Sequence, residues 1–258
     1  MLLFRMRISI LFILFTLLGC DSPNSISDIS SNNPGVILTF DDNSVDDWIK
    51  ADSIYSKRDW KATFNVSNFI DLDENQQRNL LKLQERGNEI AFHGTHHIRA
   101  AYYLKEHSPE EYLDYEIIPG LTKMDKMGFH ISSFAYPGGV RNAFTDSLLF
   151  NFFTVLRGTT FLAIPPSEQK CFTTIGGYKK LVYAIGLDNH YEHMHLDYIE
   201  SLLQYAVDEN KIVLFYGHHI EDDDTTKYVT SYKTLNFICD FIEKHRLNYY
   251  TLSEVVEK

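Results

Sequence analysis

Residues 36–42 read VILTFDD, an apolar, largely β-branched run that ends in two aspartates. A short continuous run of this kind is typical of a strand buried on both faces, as in a parallel sheet covered by helices. Further candidate strands lie at residues 61–67, 88–92, 132–136 and 211–216, and helical patterns separate them. Strands that alternate with helices predict an α/β fold with a parallel sheet, either open or closed into a barrel.

The sequence also marks where two helices start. Ser44 can cap a helix that has Asp47 in its first turn. Residues 108–111, SPEE, form a capping box with proline at the first helical position, and Pro119 must kink or divide the helix that follows. No internal repeat and no second linker is visible, so we predict a single domain over residues 36–258.

The N-terminus is typical of an exported protein. Residues 1–20 contain two arginines followed by an apolar run at residues 8–18, which suits a secretory signal and is too short for a membrane span. The run ends in LLGC, which resembles the lipobox of bacterial lipoproteins, so we expect Cys20 to carry a lipid anchor to a membrane of the cell envelope. An ordinary signal peptide is the alternative. Residues 21–35 are rich in Ser, Asn and Pro and are predicted to be a flexible tether.

Composition limits the classes of protein and partner. The chain has 258 residues, 44% of them hydrophobic and 23% charged, which indicates a folded rather than a disordered protein. The net charge of -11, without a cluster of Lys and Arg beyond the N-terminus, argues against a nucleic-acid partner and favours a neutral substrate. Cys171 and Cys239 could pair in an exported chain, but the sequence does not show that they meet.

Residues of catalytic type directly follow four of the predicted strands. Because ligands bind at the carboxyl ends of parallel strands, these four groups are expected to converge on one site. The groups are Asp41 and Asp42, His93, Pro137 with Gly138 and Gly139, and Gly217 with His218 and His219.

Two imidazoles and one carboxylate can bind zinc or a similar ion and leave positions open for water and substrate. The remaining aspartate could then take a proton from the bound water, and His218 could donate one to the leaving group. His93 and His97 are four residues apart and can face one ion if the chain turns helically after the strand, whereas His96 would point elsewhere.

These residues give the sequence a resemblance to the polysaccharide deacetylase family, also called the NodB-homology or carbohydrate esterase family four domain. TFDD at residues 39–42 resembles its first motif, and HGTHH at residues 93–97 resembles its second. The resemblance extends from about residue 36 to the C-terminus, and it implies a distorted (β/α) barrel that hydrolyses acetyl groups on a carbohydrate.

The resemblance also implies a role for individual residues. Asp41 would be the general base and His218, in FYGHH, the general acid. Asp42, His93 and His97 would bind a divalent metal, with Zn²⁺ the expected ion and Co²⁺, Ni²⁺ or Fe²⁺ the alternatives.

The third and fourth motifs of the family depart from its pattern. In AYPGG, Ala135 replaces the arginine that usually orients the base, and Gly138 replaces an aromatic residue. The backbone N–H of Gly138 can still stabilise an oxyanion. Arg141 or Arg157, from a neighbouring loop, is a candidate to replace the arginine, and Asp188 is a positional candidate for the aspartate that orients the acid.

Two other histidine arrangements compete with these assignments. His219 could serve as the acid instead of His218, because adjacent side chains on an extended segment point to opposite sides. Residues 189–195, NHYEHMH, hold three histidines, but their spacing fits no structural zinc pattern.

The sequence therefore predicts a metal-dependent N- or O-deacetylase that acts on an acetylated glycan outside the cell. The missing arginine raises the alternative of a carbohydrate-binding protein that has lost turnover. A non-haem iron enzyme uses a similar ligand set of two histidines and one carboxylate. The additional Asp41 and the predicted export argue against that third possibility.

Overall fold

The structure is a computed structural model and describes residues 33–222 and 227–256. The predicted signal peptide, Cys20 and most of the predicted tether lie outside these residues. Within the described ranges, no helix is both long and apolar enough to span a membrane.

The strands are β1 (Gly35–Asp42), β2 (Thr63–Val66), β3 (Glu89–Phe92), β4 (Ser133–Ala135), β5 (Val155–Thr160), β6 (Phe172–Thr173), β7 (Lys180–Gly186), β8 (Ile212–Gly217), β9 (His219–Ile220), β10 (Val229–Thr230) and β11 (Asn248–Tyr250). The α-helices are α1 (Val45–Tyr55), α2 (Glu74–Glu85), α3 (Ala100–Tyr103), α4 (Pro109–Tyr112), α5 (Ile118–Lys126), α6 (Ala143–Leu149), α7 (Leu196–Asp208) and α8 (Tyr232–His245). A π-helical turn (Leu113–Ile117) joins α4 to α5, and short 3₁₀ helices span Ser56–Arg58, Phe69–Asp71, Pro137–Gly139, Pro166–Glu168 and Leu252–Val255.

Seven parallel strands close into a barrel in the order β1, β2, β3, β4, β5, β7, β8, with β8 pairing back to β1. The barrel is distorted because β1 changes partner along its length. Its first residues pair with β11 and its last residues pair with β2, while β8 lies along its other side. The predicted (β/α) barrel is confirmed.

The side chains of each strand alternate between the barrel interior and the surrounding helices. In β8, Leu214 and Tyr216 pack in the interior cluster, whereas Phe215 packs in the larger cluster that includes the helices. Ile37 of β1 belongs to the interior cluster. Since residues two apart share one side of a strand, Asp41 also points into the barrel, where it is 3% exposed.

Several predicted elements agree with the structure. The capping box at Ser108 forms with Glu111, and the helix divides before Pro119, at the π-helical turn. Ser44 precedes α1, but its side chain does not cap the helix; its hydroxyl contacts His219 instead. Among the seven barrel strands, β5 and β7 were not predicted, and neither were the short strands β6, β9, β10 and β11.

Candidate active site

The predicted catalytic residues lie together at the carboxyl ends of the barrel strands. They line one cavity of about 220 Å³. The residues that line it are Asp41, Asp42, His93, His97, Arg99, Gly138, Gly139, Thr159, Phe161, Tyr191, Tyr216, His218 and Tyr228.

Asp42, His93 and His97 form a candidate metal site in this cavity. The Oδ1 atom of Asp42 lies 3.6 Å from Nε2 of His93 and 3.4 Å from Nε2 of His97. The ligand atoms of these three side chains all lie within 4.8 Å of one another, close enough to share an ion. Residues 33–222 and 227–256 contain no other group of three or more His, Cys, Asp or Glu side chains with this property.

The donor set fits a divalent metal. When four ligand atoms surround an ion as a tetrahedron, each about 2.0–2.1 Å from it, the ligand atoms lie about 3.3–3.4 Å from each other. The distances from Asp42 Oδ1 to the two histidine Nε2 atoms are close to this value. Nδ1 of His93 lies 2.8 Å from the carbonyl oxygen of Ala135, which can only accept, so Nδ1 carries the proton and Nε2 is free to bind. Burial also lowers the pKa of His93 to about 4, which keeps the imidazole neutral, as a ligand must be.

The two histidines face one position, as expected of the pair, but without the helical turn that we had considered as the condition for it. The chain after β3 is irregular, and the backbone of Gly94 and His97 is left-handed, with φ of 94° and 59°. Asp42 also has a positive φ, 80°, which aspartate tolerates better than most residues. His96 points away from the site and stacks on Tyr115 with ring centroids 4.3 Å apart.

Glu116, in the π-helical turn, holds the loop that carries His97. This fully buried carboxylate accepts hydrogen bonds from the backbone N–H groups of His96 and Ile98, at 2.8 and 2.7 Å. Gly94 is required beside it, because a Cβ there would lie 2.0 Å from a Glu116 oxygen. Burial raises the pKa of Glu116 to about 7, although both hydrogen bonds favour the charged form.

The other aspartate, Asp41, is bound by Arg157. Nη2 of Arg157 donates to both carboxylate oxygens, and Asn65 Nδ2 donates to Oδ1 at 2.8 Å. Burial raises the pKa of Asp41, but the charge and hydrogen bonds of Arg157, together with the neighbouring imidazoles of His93 and His218, outweigh it and lower the pKa to about 2. Asp41 is therefore ionised throughout the neutral pH range.

Arg157 thus occupies the place of the arginine that the third motif lacks. We had expected this arginine to come from a loop, but Arg157 lies in β5. It is fully buried inside the barrel, with its guanidinium 5.2 Å from the Tyr216 ring. Arg141, the other candidate, binds Asp146 and the hydroxyl of Tyr183 and does not line the cavity.

His218 lines the same cavity and lies close to the candidate metal ligand Asp42. Its Nδ1 is 2.6 Å from Oδ2 of Asp188, and its Nε2 is 4.0 Å from Asp42. Trp48 of α1 donates to the backbone oxygen of His218 at 3.0 Å. Burial lowers the pKa of His218, but the hydrogen bond and the charge of Asp188 outweigh it and raise the pKa above its usual value.

The competing histidines lie elsewhere. His219 points away from the cavity and pairs with Asp47 of α1 at 2.8 Å. His193 bonds to the carbonyl oxygen of Gly186, and His195 lies beside a separate cavity of about 470 Å³. The structure does not bring the three histidines of residues 189–195 together as a metal site within the described ranges.

Gly138 lies in the cavity wall with a φ of 59°. Its N–H donates to no acceptor in the described part of the chain, so it remains available to a ligand. Cys171 and Cys239 are both buried free thiols and form no disulfide.

Several residues at the site were not predicted individually. Asn65, which donates to Asp41 but does not line the cavity, lies in the predicted strand of residues 61–67, and Arg99 lies just beyond the second motif. Phe161 and Tyr228 are about half exposed at the cavity mouth. Their position depends on loops that no local pattern identifies.

Solved structures with this fold include several deacetylases. The chitin deacetylase of Colletotrichum lindemuthianum matches with a TM-score of 0.58 and 15% identity, covering 88% of this chain and 89% of that one. The Xyl-CE4 domain of a xylanase from the hindgut metagenome of Trinervitermes trinervoides matches with a TM-score of 0.53 and 14% identity, covering 87% and 90%. The peptidoglycan deacetylase PdaC from Bacillus subtilis matches with a TM-score of 0.51 and 15% identity, covering 88% of this chain and 92% of that one.

At these identities the structural matches establish the fold alone. A comparison with curated proteins found no match. The family model described as polysaccharide deacetylase matches residues 28–149, which include the first and second motifs. Over residues 28–149 the chain therefore resembles the polysaccharide deacetylase family, and its barrel has the fold of solved deacetylases.

Proposed function

We propose that the protein is a metal-dependent hydrolase that removes N- or O-acetyl groups from a carbohydrate. The observation that carries the proposal is the arrangement of two aspartates with different surroundings in one cavity. Asp42 faces two histidines, whereas the adjacent Asp41 is bound by Arg157 and Asn65. One carboxylate is thus placed to bind a metal and the other to accept a proton.

The residues of the chain divide the reaction between them. Asp41 accepts the proton of the attacking water, and Arg157 holds its carboxylate in place as a positioning residue. The N–H of Gly138 stabilises the oxyanion that develops on the acetyl carbonyl. His218, protonated and oriented by Asp188, donates a proton to the departing amine or alkoxide. Asp42, His93 and His97 would hold a divalent ion, with Zn²⁺ the expected one, and a bound ion would supply Lewis-acid activation of water and of the acetyl carbonyl.

The alternative of a binding protein without turnover rested on the missing arginine. Because Arg157 reaches Asp41 from β5, that reason no longer applies, and the hydrolase is the better-supported function. We retain the lipid anchor on Cys20 and an envelope location as proposals based on the sequence of residues 1–20.

The test is acetate release by the Zn²⁺-loaded protein from acetylated chito-oligosaccharides, which carry amides, and from acetylated xylo-oligosaccharides, which carry esters. We expect release from at least one class and a loss of at least about 100-fold in kcat for Asp41→Asn, a typical effect of removing a general base. Release that Asp41→Asn leaves unchanged would rule out the proposed base. No release from any acetylated glycan would refute the hydrolase.

A further inference from the structure

The cavity wall at Gly138 differs from the family pattern in a way that changes its charge. In the third motif of the family, an aromatic residue occupies this position. Here, a Cβ added to Gly138 would lie 2.8 Å from Nε and 3.3 Å from Cζ of Arg99. The guanidinium of Arg99 therefore fills the space that a side chain at position 138 would need.

The side chain of Arg99 has no protein partner. It is exposed, and it forms no ion pair or side-chain hydrogen bond with any residue in the described ranges. Five other arginines of this part of the chain pair with carboxylates. They are Arg58, Arg78, Arg86, Arg141 and Arg157.

The carboxylates of the cavity do not need Arg99 as a counter-charge. Asp41 is already paired with Arg157, and Asp42 lies against His93 and His97, where the three side chains form the candidate metal site. Among the residues that form the cavity in the described structure, Arg99 is the one lysine or arginine. Its charge is therefore left for a ligand.

We propose that Arg99 binds a carboxylate carried by the substrate, so that the preferred substrate is an acidic acetylated glycan. This inference rests on the proposed deacetylase function. A planar guanidinium can bind a carboxylate through two parallel hydrogen bonds, which gives both strength and orientation. The overall charge of -11 favours a neutral substrate, but at contact distance the local cation outweighs distant, screened charges. Phe161 and Tyr228 offer aromatic surface for the uncharged face of a sugar.

The carboxylate can come from two kinds of sugar, which the experiment separates. A uronic acid is tested with acetylated glucuronoxylo-oligosaccharides against acetylated xylo-oligosaccharides. A lactyl ether is tested with the disaccharide of N-acetylglucosamine and N-acetylmuramic acid against chitobiose. Within each pair the two substrates differ chiefly in the acidic group, and kcat/KM for acetate release is measured on the Zn²⁺-loaded protein.

We expect the acidic member of at least one pair to be preferred by about tenfold or more, which is the range for one charge-assisted contact at a partly exposed site. Arg99→Gln should abolish that preference, mainly through KM, and Arg99→Lys should restore part of it. Arg78→Gln removes an equal charge from the outer face of α2 and should leave the preference intact. Raising the salt concentration to about 0.5 M should weaken the preference.

Equal kcat/KM values within both pairs, or a preference that Arg99→Gln leaves unchanged, would overturn the inference while acetate release still supported the deacetylase. Binding to Asp41→Asn, measured by calorimetry with the deacetylated oligosaccharides, keeps the two questions separate. If no substrate releases acetate, the proposed deacetylase function is wrong. The carboxylate site would still be supported if acidic oligosaccharides bind more tightly than neutral ones and Arg99→Gln abolishes this difference. Equal binding of acidic and neutral oligosaccharides would refute it.

Discussion

Replacing Arg157 by methionine would leave the buried carboxylate of Asp41 without its cation while nearly preserving the length of the side chain. Both side chains are almost inaccessible, 0% and 4% exposed, so solvent cannot replace the lost partner. Breaking a buried ion pair from one side costs about 3–5 kcal/mol. Asn65 still donates to Asp41, and Nε and Nη1 of Arg157 have no partner in the described structure, so their removal offsets part of the loss. We therefore expect Arg157→Met to lower the free energy of unfolding by about 3 kcal/mol, the lower end of that range.

The pKa of Asp41 leads to an independent estimate and a pH dependence. Its lowering from 3.8 to about 2 corresponds to about 2.5 kcal/mol of stability, at about 1.4 kcal/mol per pH unit. Because the folded-state pKa is the lower one, this stability is present above about pH 4 and is lost as the pH falls towards 2. The stability difference between wild type and Arg157→Met should therefore be largest near neutral pH and smaller in acid.

The assay is urea unfolding of the metal-free proteins at about pH 7 and about pH 2.5, together with acetate release by the Zn²⁺-loaded proteins near neutral pH. We expect kcat to fall by at least about 100-fold for Arg157→Met, with little change in KM, because the base loses its orientation. Arg141→Met is the matched control, since it breaks the pair with Asp146 but should keep kcat within about threefold. A loss below about 1 kcal/mol together with wild-type kcat would refute this role of Arg157.

Three further predictions concern the surroundings of the same site. Asp188→Asn should lower the pKa of His218 and so move the alkaline limb of the pH profile of kcat/KM to lower pH. It should also reduce kcat by about 10–100-fold. An alkaline limb that does not move would contradict the role of Asp188. Because burial raises the pKa of Glu116 to about 7, folding of the wild type should weaken as pH rises from about 4.5 to 7, by up to about 3 kcal/mol. Urea unfolding of Glu116→Gln should lack this slope, and an equal slope in both proteins would exclude Glu116 as its source. His97→Ala should weaken Zn²⁺ binding by at least about 100-fold in a competition titration, whereas His96→Ala should retain the ion; equal losses would refute the ligand assignment.

The sequence predicted the parts of the fold whose signals are local. β1 was recognisable because its residues are apolar on both faces, and the carboxyl end of a strand then placed Asp41 and Asp42 in the site. β5, VLRGTT, was missed because its residues turned towards the barrel interior include Arg157, which interrupts the apolar pattern.

The chemistry of the site therefore predicted that an arginine orients Asp41, but the third motif did not show which arginine does so. Its position depends on the register that aligns Arg157 with Ala135 of β4, a pairing between distant segments. The turn at Gly94 was missed for a related reason. The chain there is held by Glu116, a contact across 20 or so residues that no helical or strand periodicity encodes.

In the proposed function, Asp42, His93 and His97 hold an ion without which Asp41 cannot support hydrolysis. The most direct test measures bound zinc and acetate release after dialysis against a chelator and after Zn²⁺ is added back. We predict that the wild type loses acetate release on dialysis and regains it with about one ion per chain, whereas Asp41→Asn binds the ion but releases no acetate. Full acetate release by the metal-free wild type would contradict the need for an ion, and full release by metal-loaded Asp41→Asn would contradict the role of Asp41 as the base.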